Sequence, residues 1–379
     1  MTFLWSEKEL NLMIVCVRNE TTGAIKYNPD DILLETEFFL KSLFDGDFEH
    51  IDSKNPNPFE FHTYAEEMVE RPQPPTPGAP PTCSDHDYQE KTTPRMSSTD
   101  NSKTPKSDPA GYLDAEFTLT ELKAAIAALK SSKAKGWDNL PNECWKFADN
   151  SFLDYLLLLF NMIKDQGIIP QKFNHGKVTL IHKKGPAELL SNYRPITVNI
   201  SLYGIYSRML NCRLTEVTEQ QNLLGEIQSG FRKNRSAADN IFVLNTILEK
   251  AKETNQQVHK AFVNIKKAYD TVDRPTLWTK LEKLGFGPVF INCLKVLYSD
   301  DCITSSLNGR STRNIYLKRG VRQGCSLSPL LFNLYISDLS HALCKTDEGF
   351  DLSGTNICAL LFADDLLLLS PTASGLKRL

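Results

Sequence analysis

The sequence predicts a mixed α+β body behind an irregular, proline-rich arm. Three observations predict it. From Phe117 onward, segments with helical apolar periodicity alternate with short strand-like runs, which favours a mixed body over an all-α or all-β one. Residues 71–82 hold so many prolines that neither a helix nor a central strand can form there, because proline lacks the backbone donor and fixes φ. Near the C-terminus, Ile357–Leu361 and Leu366–Leu369 are apolar on both alternating faces, the pattern of strands buried on two sides.

Composition narrows the class. A chain of 379 residues with 41% hydrophobic content can bury a sizeable core, as two or three domains or one large domain with an extension. The net charge of −3 hides an asymmetry, −10 over residues 1–112 and +7 over residues 113–379. An acidic arm on a mildly basic body fits a body that meets a polyanion. The nine cysteines are scattered with no C-x-x-C pair, which argues against a disulfide framework or zinc site. Reduced thiols in an intracellular protein are expected, with nucleus and cytoplasm equally open. Glu7, Lys8 and Glu9 break any signal-peptide core, and the apolar stretch at Leu156–Phe160 is too short to span a bilayer. A soluble chain with no membrane partner is expected.

The elements follow in order. Leu12–Val17 reads as a strand and Ile32–Phe44 as an amphipathic helix, with Ile32, Leu33, Phe39, Leu40 and Leu43 available for one face. Three regions are expected: a segment at 1–53, a disordered Pro/Ser/Thr-rich linker at 54–112, and the body at 113–379. Thr118 with Glu121 forms a capping box that opens a helix through Leu129. A second helix spans Phe152–Lys164 and ends near Gly167. Val178–Ile181 and Arg194–Val198 are strand candidates around a Lys183-Lys184-Gly185 turn. Ser236 with Asp239 caps a further helix, Ala261–Ile265 is a strand, and Asp273 caps Pro275–Leu284. Pro329 suits a first helical turn, and the Leu330–Leu343 helix after it is apolar on most sides, hence buried.

The two apolar strands near the end enclose Phe362-Ala363-Asp364-Asp365. Adjacent carboxylates are costly to bury unpaired, and a bound divalent cation removes that cost. Mg²⁺ is hard, prefers oxygen, and is commonly held by one or two carboxylates plus substrate phosphates. The competing reading is an exposed Asp-Asp turn with no ligand.

Other blocks weigh against the bare turn. Lys135-Gly-Trp-Asp138, Val178-Thr-Leu-Ile-His-Lys-Lys-Gly185 and Asn192-Tyr-Arg-Pro-Ile196 come first. Gln228-Ser-Gly-Phe-Arg232, Phe262-Val-Asn-Ile-Lys-Lys-Ala-Tyr-Asp270 and the run from Arg319-Gly-Val-Arg-Gln-Gly324 to Phe332 follow, ahead of the acidic hairpin. In this order they make the sequence resemble the reverse transcriptases of non-LTR (LINE-type) retrotransposons, from about Phe117 to Leu379. Ile25–Phe44 is similar to the region joining endonuclease to polymerase in such elements. The resemblance implies an α+β right-hand polymerase of fingers and palm, with a ferredoxin-like palm sheet that brings Asn264 beside Asp364. It implies an RNA-directed DNA polymerase using an RNA template, a DNA primer and dNTPs. Asp364 and Asp365 would place two Mg²⁺ ions. Lys183, Lys184 and Arg194 would neutralise triphosphate charge. Tyr269 would block a ribose 2′-hydroxyl, Gln323 and Gly324 would support the templating pair, and Arg232, Lys233 and Arg235 would meet template phosphates.

The sequence departs from the family at one decisive place. The family block reads Phe-x-Asp-x-x-Lys-Ala-Phe/Tyr-Asp, and here Asn264 stands at the first Asp. An amide oxygen brings no negative charge to offset metal dications. Losing part of several kcal/mol of metal-assisted stabilisation implies a loss of rate of roughly a hundredfold or more. The chain stops at Leu379, so a missing thumb and a missing upstream endonuclease are expected as well. The expectation is a polymerase fold without useful polymerase activity. The alternative is a catalytically silent nucleic-acid-binding remnant.

Overall fold

The computed structural model describes residues 17–26, 28–44, 59–64 as a backbone strand, 108–307 and 310–379. A short hairpin pairs Val17–Arg18 with Ile25–Lys26, and helix α1 follows over Pro29–Phe44. Strand β1 is Phe59–Tyr64. After short helices at Pro109–Asp114 and Leu119–Ala127 comes helix α2 (Asn150–Gln166). A hairpin of β2 (His175–His182) and β3 (Tyr193–Val198) leads to helix α3 (Ser201–Gln220). Helix α4 (Ala237–Glu253), strand β4 (His259–Ile265), helices α5 (Arg274–Lys283) and α6 (Pro288–Tyr298), and strand β5 (Cys302–Leu307) continue the chain. Helix α7 (Ser328–Tyr335) precedes the closing hairpin of β6 (Ala359–Phe362) and β7 (Asp365–Ser370).

Local chemistry sets most of these boundaries. Thr118 and Glu121 cap each other's backbone N–H, as do Ser236 and Asp239. Asp273 accepts from Thr276 N at 2.9 Å to open α5, and Gly167 ends α2 in a left-handed conformation with φ 64°. The helix expected over Leu330–Leu343 is instead two, α7 and Ser337–Leu343, separated at Ile336. The linker expected over 54–112 falls mostly outside the described residues, but two parts of it are regular. Phe59–Tyr64 is a strand, and Pro109 begins a helix that Asp108 caps through Gly111 N. Of the expected Leu12–Val17 strand only Val17 is described, and it pairs with Lys26.

Two sheets organise the body. The first is antiparallel with order β6-β7-β4-β1. Both faces of its hairpin are buried. Leu361, Leu366 and Leu368 enter one apolar cluster, while Leu360, Leu367 and Leu369 enter another with Ile247 and Ala251 of α4. This is the expected palm, with its fourth place filled by a strand from far upstream. The second sheet pairs β3 and β2 antiparallel, and β2 and β5 parallel. It corresponds to the fingers. Ile32, Leu40, Leu43 and Phe44 of α1 complete its core against Val178, Leu180, Ile303 and Ile315, so α1 packs into the body. The largest cluster joins α2, α3, α5, α6 and α7.

Beside the second sheet lies a charged core. Asp301 is 2% exposed, and its carboxylate accepts from Arg274 Nη2 at 2.7 Å and from Arg322 Nη2. Arg274 also donates to the carbonyls of Gly320, Leu317 and Tyr298. Arg322 also donates to Asn174 O and to Asn199 Oδ1, and lies 4.9 Å over the Tyr203 ring. Burial alone would weaken the charge on Arg322, but the Asp301 carboxylate raises its pKa above the ordinary arginine value.

Breaking a buried ion pair from one side leaves an uncompensated charge, at a cost of about 3–5 kcal/mol. Asp301→Ala is expected to lower stability by about that much, read as a reduced urea midpoint at unchanged slope. A loss below about 1 kcal/mol, the value of a surface pair, would sink the assignment of Asp301 as the anchor of this core.

Candidate active site

The acidic hairpin is built by a two-residue turn, Ala363-Asp364, between Phe362 and Asp365, which face each other in register. Ala363 has φ 57°. A left-handed first central residue belongs to the II′ class of hairpin, where glycine is usual. An alanine there costs about 1–2 kcal/mol, so the surroundings must hold it.

In the antiparallel pairing of β7 with β4, Asp365 stands directly opposite Asn264. Directly opposed residues project from the same face. Thus 264 and 365 share one side of the sheet at its exposed end. Asp364 is half-buried at the turn. Burial pushes its carboxyl pKa up; the Asp365 charge adds to that, while a backbone N–H and Arg194 act the other way. Arg194, exposed on β3 opposite Ile181, therefore faces the hairpin electrostatically from the second sheet. Lys183 and Lys184 lie exposed at the tip of the same β2–β3 hairpin.

Two carboxylates and an amide oxygen can hold one hard divalent cation together with substrate phosphates. They do not supply a third carboxylate. Among the described residues no group of three or more His, Cys, Asp or Glu side chains could hold a metal ion.

The remaining expected residues divide into two groups. Tyr269 stacks on Phe332, with ring centroids 5.1 Å apart, and burial with the Asp364 charge raises its phenol pKa. Gln323 O accepts from Thr197 N at 2.8 Å, and Gly324 (φ 119°) lies so close to Thr197 O that a Cβ would collide with it. Gln323 lines a small cavity with Pro195, Thr197 and Asp270. Arg232 and Arg235 do not stand free for a template. Arg232 is turned inward, with a bidentate pair to Glu219 at 3.0 and 2.7 Å and donations to Gly225 O and Gln228 O. Arg235 is held by the side chain and carbonyl of Glu226. A positive side chain in a loop takes a local carboxylate when one is offered, which leaves Lys233 as the exposed member of the three.

Asp270 closes the sequence block that holds Asn264 and is not expected to replace its missing carboxylate; it is 4% exposed and accepts from Gln323 Nε2 at 3.0 Å. Burial raises its pKa to about 6, against the pull of Gln323, Lys267, Lys183 and Arg319. Because the folded value exceeds the unfolded one of about 3.9, this group favours the fold most when protonated. Its contribution is full below about pH 4 and is lost as pH rises through the folded value of about 6. Measured against Asp270→Asn in urea titrations, the wild-type chain is expected to lose roughly 2–3 kcal/mol more between about pH 4 and pH 8. Parallel pH profiles for the two proteins would refute this.

Comparison with known proteins places the geometry in a family. A family profile described as "Reverse transcriptase (RNA-dependent DNA polymerase)" matches residues 181–379. A 149 kDa protein of transposon TX1 from Xenopus laevis is 30% identical over 270 residues, 70% of this chain and 20% of that protein. The Pol polyprotein of the type-1 retrotransposable element R2 from Popillia japonica is 33% identical over 209 residues, 54% of this chain and 28% of that protein. The RNA-directed DNA polymerase from mobile element jockey of Drosophila melanogaster is 30% identical over 261 residues, 68% of this chain and 28% of that protein. The chain thus spans less than a third of the length of each of these relatives. Among solved structures, apo telomerase from Candida tropicalis, truncated from its C-terminal domain, superposes with a TM-score of 0.40 and 16% identity over 59% of this chain and 50% of that chain. With its profile match extending over more than half of the residues, the chain belongs to the reverse transcriptase (RNA-dependent DNA polymerase) family and carries the reverse transcriptase domain of non-LTR retrotransposon-like proteins.

Proposed function

We propose that this chain is a fingers-and-palm body that receives an RNA template, a DNA primer and a dNTP, and that Asn264 depresses its own nucleotidyl transfer. The reading rests on one observation, the register pair of Asp365 and Asn264 at the head of the acidic hairpin. Asp364 and Asp365 are the residues that would hold Mg²⁺, with triphosphate oxygens completing the donors. Magnesium, when bound, supplies Lewis-acid neutralisation of the charge on the transferring phosphoryl oxygens.

The protein's own groups do the rest. Arg194 and the Lys183-Lys184 tip offset triphosphate charge from the opposite wall, where Arg194 already acts on Asp364. The Tyr269 ring, fixed by its stack on Phe332, walls the sugar side of the cleft and disfavours a 2′-hydroxyl. The Gln323-Gly324 backbone, pinned to Thr197, presents a flat support for the templating base pair. Asn264 brings an oxygen but no charge, so a second cation lacks its third carboxylate. Localisation follows the reduced cysteines and is intracellular.

Primer extension on an RNA template with Mg²⁺ and dNTPs tests this. Asn264→Asp is expected to raise the extension rate at least about a hundredfold over the unsubstituted chain. Equal rates would show that residue 264 does not limit catalysis. The uncharged Asn264 also favours a second reading, a silent nucleic-acid-binding body. In that case neither protein extends, yet both bind RNA with an affinity that falls steeply with added salt. Salt-insensitive binding would count against any phosphate-reading groove.

A further inference from the structure

We propose that Gln228 is a positioning residue of the acidic hairpin: its side-chain amide grips both backbone polar groups of Ala363 and so aims Asp364 and Asp365. This rests on the reading of those carboxylates as the metal-holding pair.

Gln228 is 1% exposed. Its Oε1 accepts from Ala363 N at 3.0 Å and from Gly230 N at 2.8 Å, and its Nε2 donates to Ala363 O at 3.3 Å. Two backbone donors converge on one side-chain atom, so that atom is the oxygen and the amide orientation is fixed. The side chain thereby copies the peptide group of a neighbouring strand, at the point where the hairpin has turned and no strand is available.

The contact is specific to the tip. Ala363 is the left-handed residue of the turn, and its carbonyl lies in the peptide plane that begins Asp364. Holding N–H and C=O together fixes both ends of that residue, and with them the direction in which the following carboxylate leaves the chain.

Gln228 is itself held in place. Leu361 N donates to Ile227 O and Ser229 N donates to Leu361 O, each at 2.9 Å, so residues 227–229 run beside β6. Asn240 of α4 bridges Ser229 Oγ and Leu361 O, and Asn333 of α7 donates to Gly230 O at 2.8 Å. Gly230 packs against Ala363 so closely that a Cβ would strike Ala363 N. A buried amide satisfied by its own loop would explain the contact with Gly230. It would not explain why both remaining bonds go to the one residue before the carboxylates.

The test uses the full chain, with Mn²⁺ affinity read by electron paramagnetic resonance and amide exchange read on the peptide spanning 360–367. Gln228→Met keeps the volume and removes the hydrogen bonds. It is expected to speed exchange at the tip about tenfold and weaken Mn²⁺ binding by a similar factor. Gln228→Glu gives a second arm within one folded protein. When neutral, its C=O and O–H reproduce the amide's acceptor and donor, and when ionised it opposes Ala363 O. An ordinary glutamate pKa is about 4.3, and burial raises it. Gln228→Glu should therefore match wild type near about pH 5 and resemble Gln228→Met near about pH 8.5, each compared with wild type at the same pH. Mn²⁺ affinity that drops in Asp364→Asn but not in either Gln228 variant overturns the role given to Gln228. Affinity indifferent to Asp364→Asn overturns the reading of the carboxylates, whereas faster tip exchange in Gln228→Met then still supports the clamp.

Discussion

A carboxylate sealed between two guanidinium groups, Asp301 with Arg274 and Arg322, ties the second sheet to helix α5 and to the loop before Gln323 and Gly324. Apolar contact alone would let the layers slide, because the hydrophobic effect is non-directional. The ion triad does not. Its hydrogen bonds reach Asn174 ahead of β2, Asn199 after β3, and the carbonyls of residues 317 and 320. Only one arrangement of those segments satisfies them. The loop that carries Gln323 and Gly324 is thereby tied to the second sheet, and Val321 N reaches Tyr269 O at 2.8 Å in the segment that follows β4. Gln323, Gly324 and the backbone of Tyr269 are therefore held together beside one buried charge cluster.

The fold does not resist the replacement at residue 264. An asparagine side chain has nearly the volume of aspartate, and position 264 lies at an exposed end of β4. Across the ladder stands Asp365, so a neutral amide also removes a like-charge neighbour from the first sheet. On the function proposed above, stability and catalysis pull opposite ways at this point, as they commonly do where charges converge for chemistry. A chain that loses this carboxylate can keep its architecture intact.

Much of the fold is legible in the sequence because its signals are local. Thr118 with Glu121, Ser236 with Asp239, and Asp273 each announce a helix within four residues. The uninterrupted apolar runs around Ala363 announce strands covered on both sides. Charged residues are harder to read, since their partners are distant. Arg322 stands in a basic block that invites assignment to a polyanion, yet its counter-ion Asp301 lies 21 residues upstream in sequence and no periodicity connects them. Arg232 misleads for the same reason, as its carboxylate is Glu219 in the preceding helix. The meeting of Asn264 with the hairpin came from the resemblance, because no pattern in either segment encodes register with the other. Gln228 was visible only as a letter in a block; its function depends on a turn 135 residues away.

Helix α1 has a practical consequence for anyone dissecting this protein. Its apolar side supplies one wall of the fingers core, against Val178, Ile303 and Ile315, and Glu37 on the same helix pairs with Arg313. A fragment trimmed to start at the first polymerase block would leave those aliphatic side chains bare beside the β2–β3 hairpin. Uncovered greasy surface of that kind drives self-association, so such a fragment would be prone to clump and would misreport any binding measured on it. The smallest piece worth purifying begins upstream of α1.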